Sequence, residues 1–316
     1  MKLLKDYITE KLKLRVNNKN YFYIEPWDND ATLQIWGDVV NNLSYSYNKI
    51  DWITVEPIEK EYTFEENKRV YFKGDNPKGI KDGFFRTNDS IAIGGNIMSL
   101  IYNDDFDNKY SIPVKDCFEE AFKIKGLVDA SDLELPATKL TAGCYCGMFN
   151  FAENLKNPPT ELPATELAPS CYEQMFFHCK SLVSAPILPA MHLADKCYYG
   201  MFSYTSLTTA PDLPAVNLEP NCYKSMFSGT KITKTPLLPA TKLADDCYVC
   251  MFGDCKELTE VCDLPATDLP DKCYNAMFKS CKLLKNKPKF GKIISKELND
   301  NMFSGCPCKV KKTQYI

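Results

Sequence analysis

Residues 188–202 read Leu-Pro-Ala-Met-His-Leu-Ala-Asp-Lys-Cys-Tyr-Tyr-Gly-Met-Phe, and this stretch decides how the chain folds. The same cassette of Leu-Pro-Ala, six residues, Cys-Tyr, two residues and Met-Phe occurs six times between residues 135 and 278. The cysteines of successive Cys-Tyr pairs are 27, 26, 25, 25 and 26 residues apart. A repeat of this length is typical of proteins in which a small unit buries its apolar face only by stacking on its neighbours.

Within one copy, the pattern predicts a short strand and a short helix. Residues 182–185 are apolar and β-prone, and Pro186 keeps this candidate strand short because proline donates no ladder hydrogen bond. Residues 193–202 carry apolar side chains at helical spacing. The predicted fold class is therefore an α+β solenoid over residues 113–316, with about eight copies whose end copies are degenerate.

The amino-terminal third has a different pattern. Over residues 17–112, short runs of β-branched and aromatic residues alternate with turn-formers, which predicts a small all-β sandwich-like domain. Its three tryptophans, Trp27, Trp36 and Trp52, are expected in the core, with a carbohydrate platform on one of them as the alternative. Residues 1–16 predict an amphipathic helix, either a packed terminus or an attachment or targeting peptide. The strand candidates are residues 21–24, 32–36, 43–47, 52–55, 68–72 and 90–93.

Composition excludes several classes of partner. The net charge of -3 and the pI of about 5.6 argue against nucleic-acid binding. No apolar run approaches the roughly 20 residues that span a bilayer, so no membrane insertion is expected. The first twelve residues lack the continuous apolar region of a Sec signal peptide.

Fifteen cysteines are present, and most recur at fixed positions of the repeat. In a stack, such cysteines face one another from copy to copy, which predicts a buried ladder of reduced thiols. Disulfides and structural zinc stay open as alternatives. The pairs Cys144/Cys146 and Cys306/Cys308 lack the two-residue gap of a zinc knuckle.

Catalytic chemistry is not indicated anywhere in the chain. The two histidines, His178 and His192, occupy variable repeat positions where exposure is expected, and His178 next to Cys179 in sequence does not make a nucleophile–base pair. No phosphate-binding glycine loop or metalloprotease motif occurs. The acidic run at 104–107 lacks EF-hand spacing. The sequence therefore predicts a protein that is not an enzyme, with no catalytic, cofactor-binding or metal-binding residues.

The repeat resembles a known family. The phrase Met-Phe-x-x-Cys-x-x-Leu followed by Leu-Pro-Ala, as at Met277-Phe278-Lys279-Ser280-Cys281, resembles the BspA-type leucine-rich repeat, in which Ala-Phe-x-x-Cys-x-x-Leu leads into an Ile-Pro step. The resemblance covers residues 117–306. The preceding region resembles the β domain found before such repeats in gut Bacteroidales and their phages, and residues 1–12 resemble a capsid-targeting peptide of tailed phages.

This resemblance implies a non-enzymatic binding or structural protein, and three interpretations follow. The first is a phage virion protein that uses its repeats for recognition of a protein or glycan, or for assembly, with residues 1–16 contacting other virion proteins. The second is a BspA-like adhesin on the bacterial surface that binds host matrix proteins or glycans, and the third is an intracellular scaffold. A homo-oligomer stays open in each case.

The candidate binding face follows from register. Alternate residues of a short strand face outward, so one residue per copy should line the solvent side of the predicted strands. These residues are Lys156, Ser184, Thr209, Lys234 and Glu260.

Overall fold

The computed structural model describes residues 19–36, 42–56, 61–270 and 272–308. The predicted helix and attachment peptide over residues 1–16 lie outside this range. Nine strands form in chain order: β1 (Phe22–Pro26), β2 (Ala31–Ile35), β3 (Leu43–Ser46), β4 (Ile53–Thr54), β5 (Glu61–Phe64), β6 (Val70–Gly74), β7 (Phe85–Arg86), β8 (Ile91–Asn96) and β9 (Leu127–Glu134).

Two sheets build the amino-terminal part. The larger has six strands in the order β4-β3-β6-β1-β8-β9, and the smaller has three in the order β5-β2-β7. Neighbouring strands are antiparallel except β8 and β9, which run parallel with register shifts. Burial alternates along β2 and β6, as expected where one face of each strand meets the core. All six predicted strand segments overlap an observed strand, whereas β5, β7 and β9 were not predicted.

The β8 strand contains one position that only glycine fits. Gly95 has a φ of +74°, and a Cβ there would lie 2.0 Å from the carbonyl oxygen of Tyr21. This close approach brings β1 and β8 together at the point where β9 joins the sheet.

Helix is scarce in the described residues. Two short helices occur among these residues, α1 (Ser99–Tyr102) and α2 (Lys296–Met302); neither lies in the six full copies of the cassette, and α2 forms in the degenerate last copy, just before Phe303. The predicted α+β solenoid of leucine-rich repeats is therefore wrong, because the chain is mainly strand, isolated bridge and turn. Residues 193–202, the predicted repeat helix, form consecutive turns.

The reason lies in the backbone of the cassette. Lys196, Gly200 and Tyr204 have φ between +55° and +59°, so the chain enters the left-handed region at every fourth residue. An α-helix cannot continue through such residues. In this stretch, turn hydrogen bonds link every second amide to the carbonyl three residues back, as from Met201 to Tyr198 at 3.3 Å.

The remaining amides bond to the next copy along the chain. The Tyr198 N–H donates to the Cys222 carbonyl at 3.0 Å, and the Phe202 N–H donates to the Met226 carbonyl at 2.9 Å. Amides therefore alternate between a partner in the same copy and a partner in the next. We call this part of the chain, from Cys117 to Phe303, the turn stack.

The predicted repeat strands do not form either. Residues 182–186 have no strand assignment, and the bridges between copies are isolated single pairs such as Glu161 with Ile187. Proline explains this result: Pro186 lacks the amide that would extend the pairing.

Aromatic rings fill the interior of the turn stack in two ladders. Tyrosines of the Cys-Tyr pairs lie 5.8–6.0 Å apart with nearly parallel rings. Phenylalanines of the Met-Phe pairs lie 5.3–5.9 Å apart. The cysteines of the Cys-Tyr pairs are buried next to these tyrosines in the chain, and no disulfide forms among the fifteen cysteines, all of which lie in the described residues.

The phenylalanine ladder continues into the sheets. The ring centroids of Phe122 and Phe22 of β1 are 5.3 Å apart, and those of Phe122 and Phe85 of β7 are 6.0 Å apart. Both sheets and the turn stack therefore share one continuous apolar core. Contacts cross the predicted boundary between residues 112 and 113 at this ring and at the β8–β9 pair.

Candidate functional site

The predicted binding face is on the surface. Its residues Lys156, Ser184, Thr209, Lys234 and Glu260 are all exposed. Lys234 and Glu260 are brought together, with a backbone bridge and an ion pair of 3.4 Å. Both side chains of this pair are about two-thirds or more exposed, at 71% and 67%, so its contribution to stability is small. Among the described residues, no side-chain hydrogen bond or ion pair joins the other three members to it.

A second surface feature was not predicted: a row of stacked aromatic rings outside the core. We name Phe151, His178 and Tyr204 the aromatic row. Each lies two residues after the phenylalanine of a Met-Phe pair, so the three occupy the same slot in three consecutive copies. The ring centroids of Phe151 and His178 are 5.1 Å apart, and those of His178 and Tyr204 are 4.8 Å apart. Phe151 and Tyr204 are 42% and 47% exposed.

The backbone of this slot makes the row unusual. Phe151, His178 and Tyr204 have φ of 57°, 59° and 59°. Bulky side chains rarely adopt the left-handed region, which favours glycine and small polar residues. Later copies follow that preference, with Gly229, Asp254, Ser280 and Gly305 in the slot.

Strain and stacking nearly cancel in this row. Each of the three left-handed residues costs roughly 1–2 kcal/mol. The two contacts within the row and the three edge-on contacts with Phe177 return roughly 0.5–1.5 kcal/mol each. The stability of the fold therefore does not explain why rings stand here, and strained residues of this kind cluster at functional sites.

Neighbouring groups enclose the faces of the rings. Lys123 places its ammonium 5.5 Å from the Phe151 ring centre, and the Tyr204 ring lies over the Cα of Gly229, where a Cβ would approach within 2.6 Å. Phe177 packs edge-on against all three rings. The ring edges are consequently what the row presents to solvent.

Charged pairs border the row. Lys180 and Glu153 form an ion pair of 2.8 Å beside His178, and Lys123 pairs with Glu120 at 3.2 Å. Partial burial, and secondly the charge of Lys180, lower the pKa of His178 below its ordinary 6.5, while Glu153 opposes this shift. The row is therefore uncharged at neutral pH.

Sequence reasoning placed the histidines and tryptophans only in part. His192 is exposed, as predicted, but His178 is half-buried in the row. Trp27 and Trp36 are exposed at 44% and 36%, so the prediction that they lie in the core is wrong; Trp52 is partly buried against Tyr21. The signal for the aromatic row was present: three aromatic residues at one slot in consecutive copies.

No metal or membrane feature is found in the part of the chain that the structure describes. Within it, no group of three or more histidine, cysteine or acidic side chains is placed to hold a metal ion. No helix there is long and apolar enough to cross a bilayer.

None of the known protein-family models matches the chain, and no curated protein or solved structure matches it either. The resemblance to BspA-type repeats therefore stays a prediction.

Proposed function

We propose that the chain is a non-enzymatic protein-binding module and that the aromatic row is its contact surface. The observation behind this proposal is that three bulky residues occupy a strained slot which later copies fill with small residues. The ring contacts about balance this strain, so fold stability alone gives no reason for bulky residues in the slot. A partner that covers the exposed ring edges would give one.

The surroundings favour a protein partner. Energetically important interface residues are commonly aromatic and are ringed by polar groups that exclude water on binding. The aromatic row has this arrangement, because the Lys180–Glu153 and Lys123–Glu120 ion pairs stand around it. The faces of the three rings are already covered, which leaves little flat surface for a sugar to stack on.

The partner is best sought among proteins of a phage particle. This choice depends on the resemblance of the repeats and of the first residues to phage-associated proteins. If this interpretation holds, the protein resides in the virion. Peptide mass spectrometry of purified particles from a host that carries the gene should find the protein in stoichiometric amounts. Its presence in the cell envelope and absence from particles would instead favour the surface adhesin.

The binding test uses the full chain, immobilised and exposed to the proteins of disrupted, purified particles. The row variant combines Phe151→Ser, His178→Ser and Tyr204→Ser, because serine already occupies this slot at Ser280. The control combines Val183→Ser, Ile187→Ser and Leu237→Ser, three exposed apolar residues of the turn stack outside the row.

We expect the wild type and the control to retain the same virion protein and the row variant to retain at least tenfold less. Retention of that protein by the row variant at the wild-type level would show that the row is not the contact surface. Equal losses for the row variant and the control would point to general surface hydrophobicity.

A further inference from the structure

A cleft of about 470 Å³ lies against the six-stranded sheet and is lined by residues of β1, β8 and β9. None of its lining residues belongs to the aromatic row. Its volume is within the range of roughly 300–1,000 Å³ that ligand sites occupy. The walls combine one indole ring with charged and amide side chains. The residues that matter are Trp27, Glu25, Arg69, Asp129 and Asp132.

Trp27 differs from the other two tryptophans in that no other described residue stacks on its ring. Its backbone N–H donates to the Ser90 carbonyl at 2.9 Å, which holds it at the end of β1. By contrast, the guanidinium of Arg86 lies 4.5 Å from the ring centre of Trp36. The ring of Trp52 packs against Tyr21, and the Lys73 ammonium lies 4.4 Å from its centre. No ring or cation stacks on Trp27 among the described residues, so its indole face is available to a ligand.

The charged side chains of the cleft are held in fixed positions. The Arg69 guanidinium lies over the Tyr23 ring at 4.2 Å, donates to Glu25 at 2.8 Å and lies 3.7 Å from Asp132. The Tyr23 hydroxyl donates to Asp132 Oδ2 at 2.9 Å, the same oxygen that Arg69 approaches. Oriented carboxylates are strong acceptors for hydroxyl donors.

Asp129 completes the cleft from β9. One of its oxygens accepts hydrogen bonds from the backbone amide and the hydroxyl of Ser131, and the other accepts from the Asn157 amide. Its hydrogen-bond donors are neutral. Asp129 and Asp132 are thus pre-organised acceptors on the same strand, and they line the cleft together with Trp27.

We propose that this cleft binds a neutral sugar unit of a glycan, which stacks on Trp27 and donates hydroxyl hydrogen bonds to Asp129 and Asp132. A sugar ring offers apolar C–H groups on one side and several hydroxyl donors at its edge, and the cleft offers the two complementary surfaces. Arg69 supplies a donor for a sugar oxygen.

The balance of charge selects among sugars. Glu25, Asp129 and Asp132 outnumber Arg69, so the cleft repels uronic or sulfated sugars. Arg69 already neutralises part of this charge by pairing with Glu25 and Asp132, so a cationic amino sugar is not required to compensate it. Neutral hexoses and their N-acetylated forms are the class that fits.

The test applies the full chain to an array of neutral, acidic and amine-bearing glycans, followed by calorimetric titration with the strongest binder. Trp27→Ala should weaken binding of a neutral glycan at least tenfold, and Trp27→Phe should weaken it less because a ring remains. Trp36→Ala is the control, since this tryptophan is also exposed, at 36% against 44% for Trp27, but lies under Arg86 and outside the cleft, and it should bind as the wild type does.

Asp129→Asn should also reduce affinity, because it removes the charge that strengthens the hydroxyl hydrogen bonds. Circular dichroism of each variant checks that the fold is intact. Binding of acidic or amine-bearing glycans alone, absence of binding to every neutral glycan, or an unchanged affinity of Trp27→Ala would each overturn the proposal. The aromatic-row variant should bind the glycan as tightly as the wild type does. The two proposals can therefore fail independently, because loss of the protein contact would not change glycan binding.

Discussion

Single residues in the turn stack show which parts of the repeat serve the core. The Tyr145 ring is fully buried and stacks between Phe118 and Tyr172 at 5.7 Å and 5.8 Å. Its hydroxyl has no hydrogen-bond partner among the described residues. A buried hydroxyl without a partner costs roughly 1–3 kcal/mol of folding free energy. The ring of Tyr145 is therefore useful to the fold, and its hydroxyl is a liability.

This imbalance gives a prediction for Tyr145→Phe. The variant keeps the ring and removes the unpartnered hydroxyl, and Phe118 already fills this slot in the preceding copy. We expect the free energy of unfolding to rise by about 1 kcal/mol. Chemical denaturation of the wild type and the variant measures the change, and a loss of stability would show that the hydroxyl has a partner in solution.

A second residue-scale prediction separates the core ladder from the aromatic row. Phe176 is fully buried, so Phe176→Ala should cost about 3–5 kcal/mol. Tyr204→Gly loses the ring contacts with His178 and Phe177 but relieves the left-handed strain, so its effect on the free energy of unfolding should stay within about 1 kcal/mol. Thermal denaturation compares the two, and a cost for Tyr204→Gly near that of Phe176→Ala would assign the row to stability.

At the scale of elements, the sequence predicted the strands of the two sheets better than it predicted the secondary structure within the repeats. Runs of β-branched and aromatic residues between turn-formers identified β1, β2 and β6, of which β2 and β6 have one buried face and β1 is mostly buried. The repeat helix was wrong for a physical reason. Pairs of apolar residues four apart, such as Cys197-Tyr198 and Met201-Phe202, fit both a helix and consecutive four-residue turns.

The backbone between these pairs decides which of the two forms. Lys196 takes a positive φ that its residue type does not favour, and the hydrogen bonds to the next copy hold it there. Hydrogen bonds between copies are tertiary contacts, so the local sequence pattern does not predict them. The sheet cleft was missed likewise, because it depends on residues that only the fold places together, whereas the aromatic row could have been found by aligning the copies.

The cysteine ladder leads to a prediction about pH. Burial raises the pKa of the Cys144, Cys197 and Cys247 thiols from 9.0 to about 12. Below pH 9.0 the thiols are protonated in both states, so their contribution is constant. Above that pH the unfolded chain releases these protons and the folded chain holds them, so stability falls as the pH rises towards about 12.

Each such thiol can lower the free energy of unfolding by up to about 1.4 kcal/mol per pH unit in this window. Melting temperatures measured between pH 7 and 10.5 should therefore stay level up to about pH 9 and then decline. A variant with alanine at Cys144, Cys197 and Cys247 should decline less steeply. A melting temperature that is level throughout would mean that the ladder thiols are not buried in solution.

At the scale of the whole molecule, the question is whether the sheets and the turn stack unfold as one unit. Phe22, Phe85 and Phe122 join the two parts through stacked rings, and β8 pairs with β9 from beyond the predicted boundary. A continuous core of this kind favours a single cooperative transition. Two independent domains would instead unfold separately.

The composition supplies a separate probe for each part. All three tryptophans precede residue 53, and all fifteen cysteines follow residue 116. Tryptophan fluorescence therefore reports on the sheets, and the reaction of thiols with a colorimetric reagent reports on the turn stack, where ten of the fifteen thiols are buried. We expect the two signals to change at the same denaturant concentration.

Phe122→Ala tests the coupling directly. The variant removes the ring that links Phe22 to Phe149, so it should destabilise the chain by about 3–5 kcal/mol and move the fluorescence and thiol transitions apart. Phe252→Ala is the matched control, because it removes an equally buried ring of the same ladder far from the sheets and should move both transitions together. Two separate transitions in the wild type would show that the shared core does not couple the parts and would restore the boundary at residues 112 and 113.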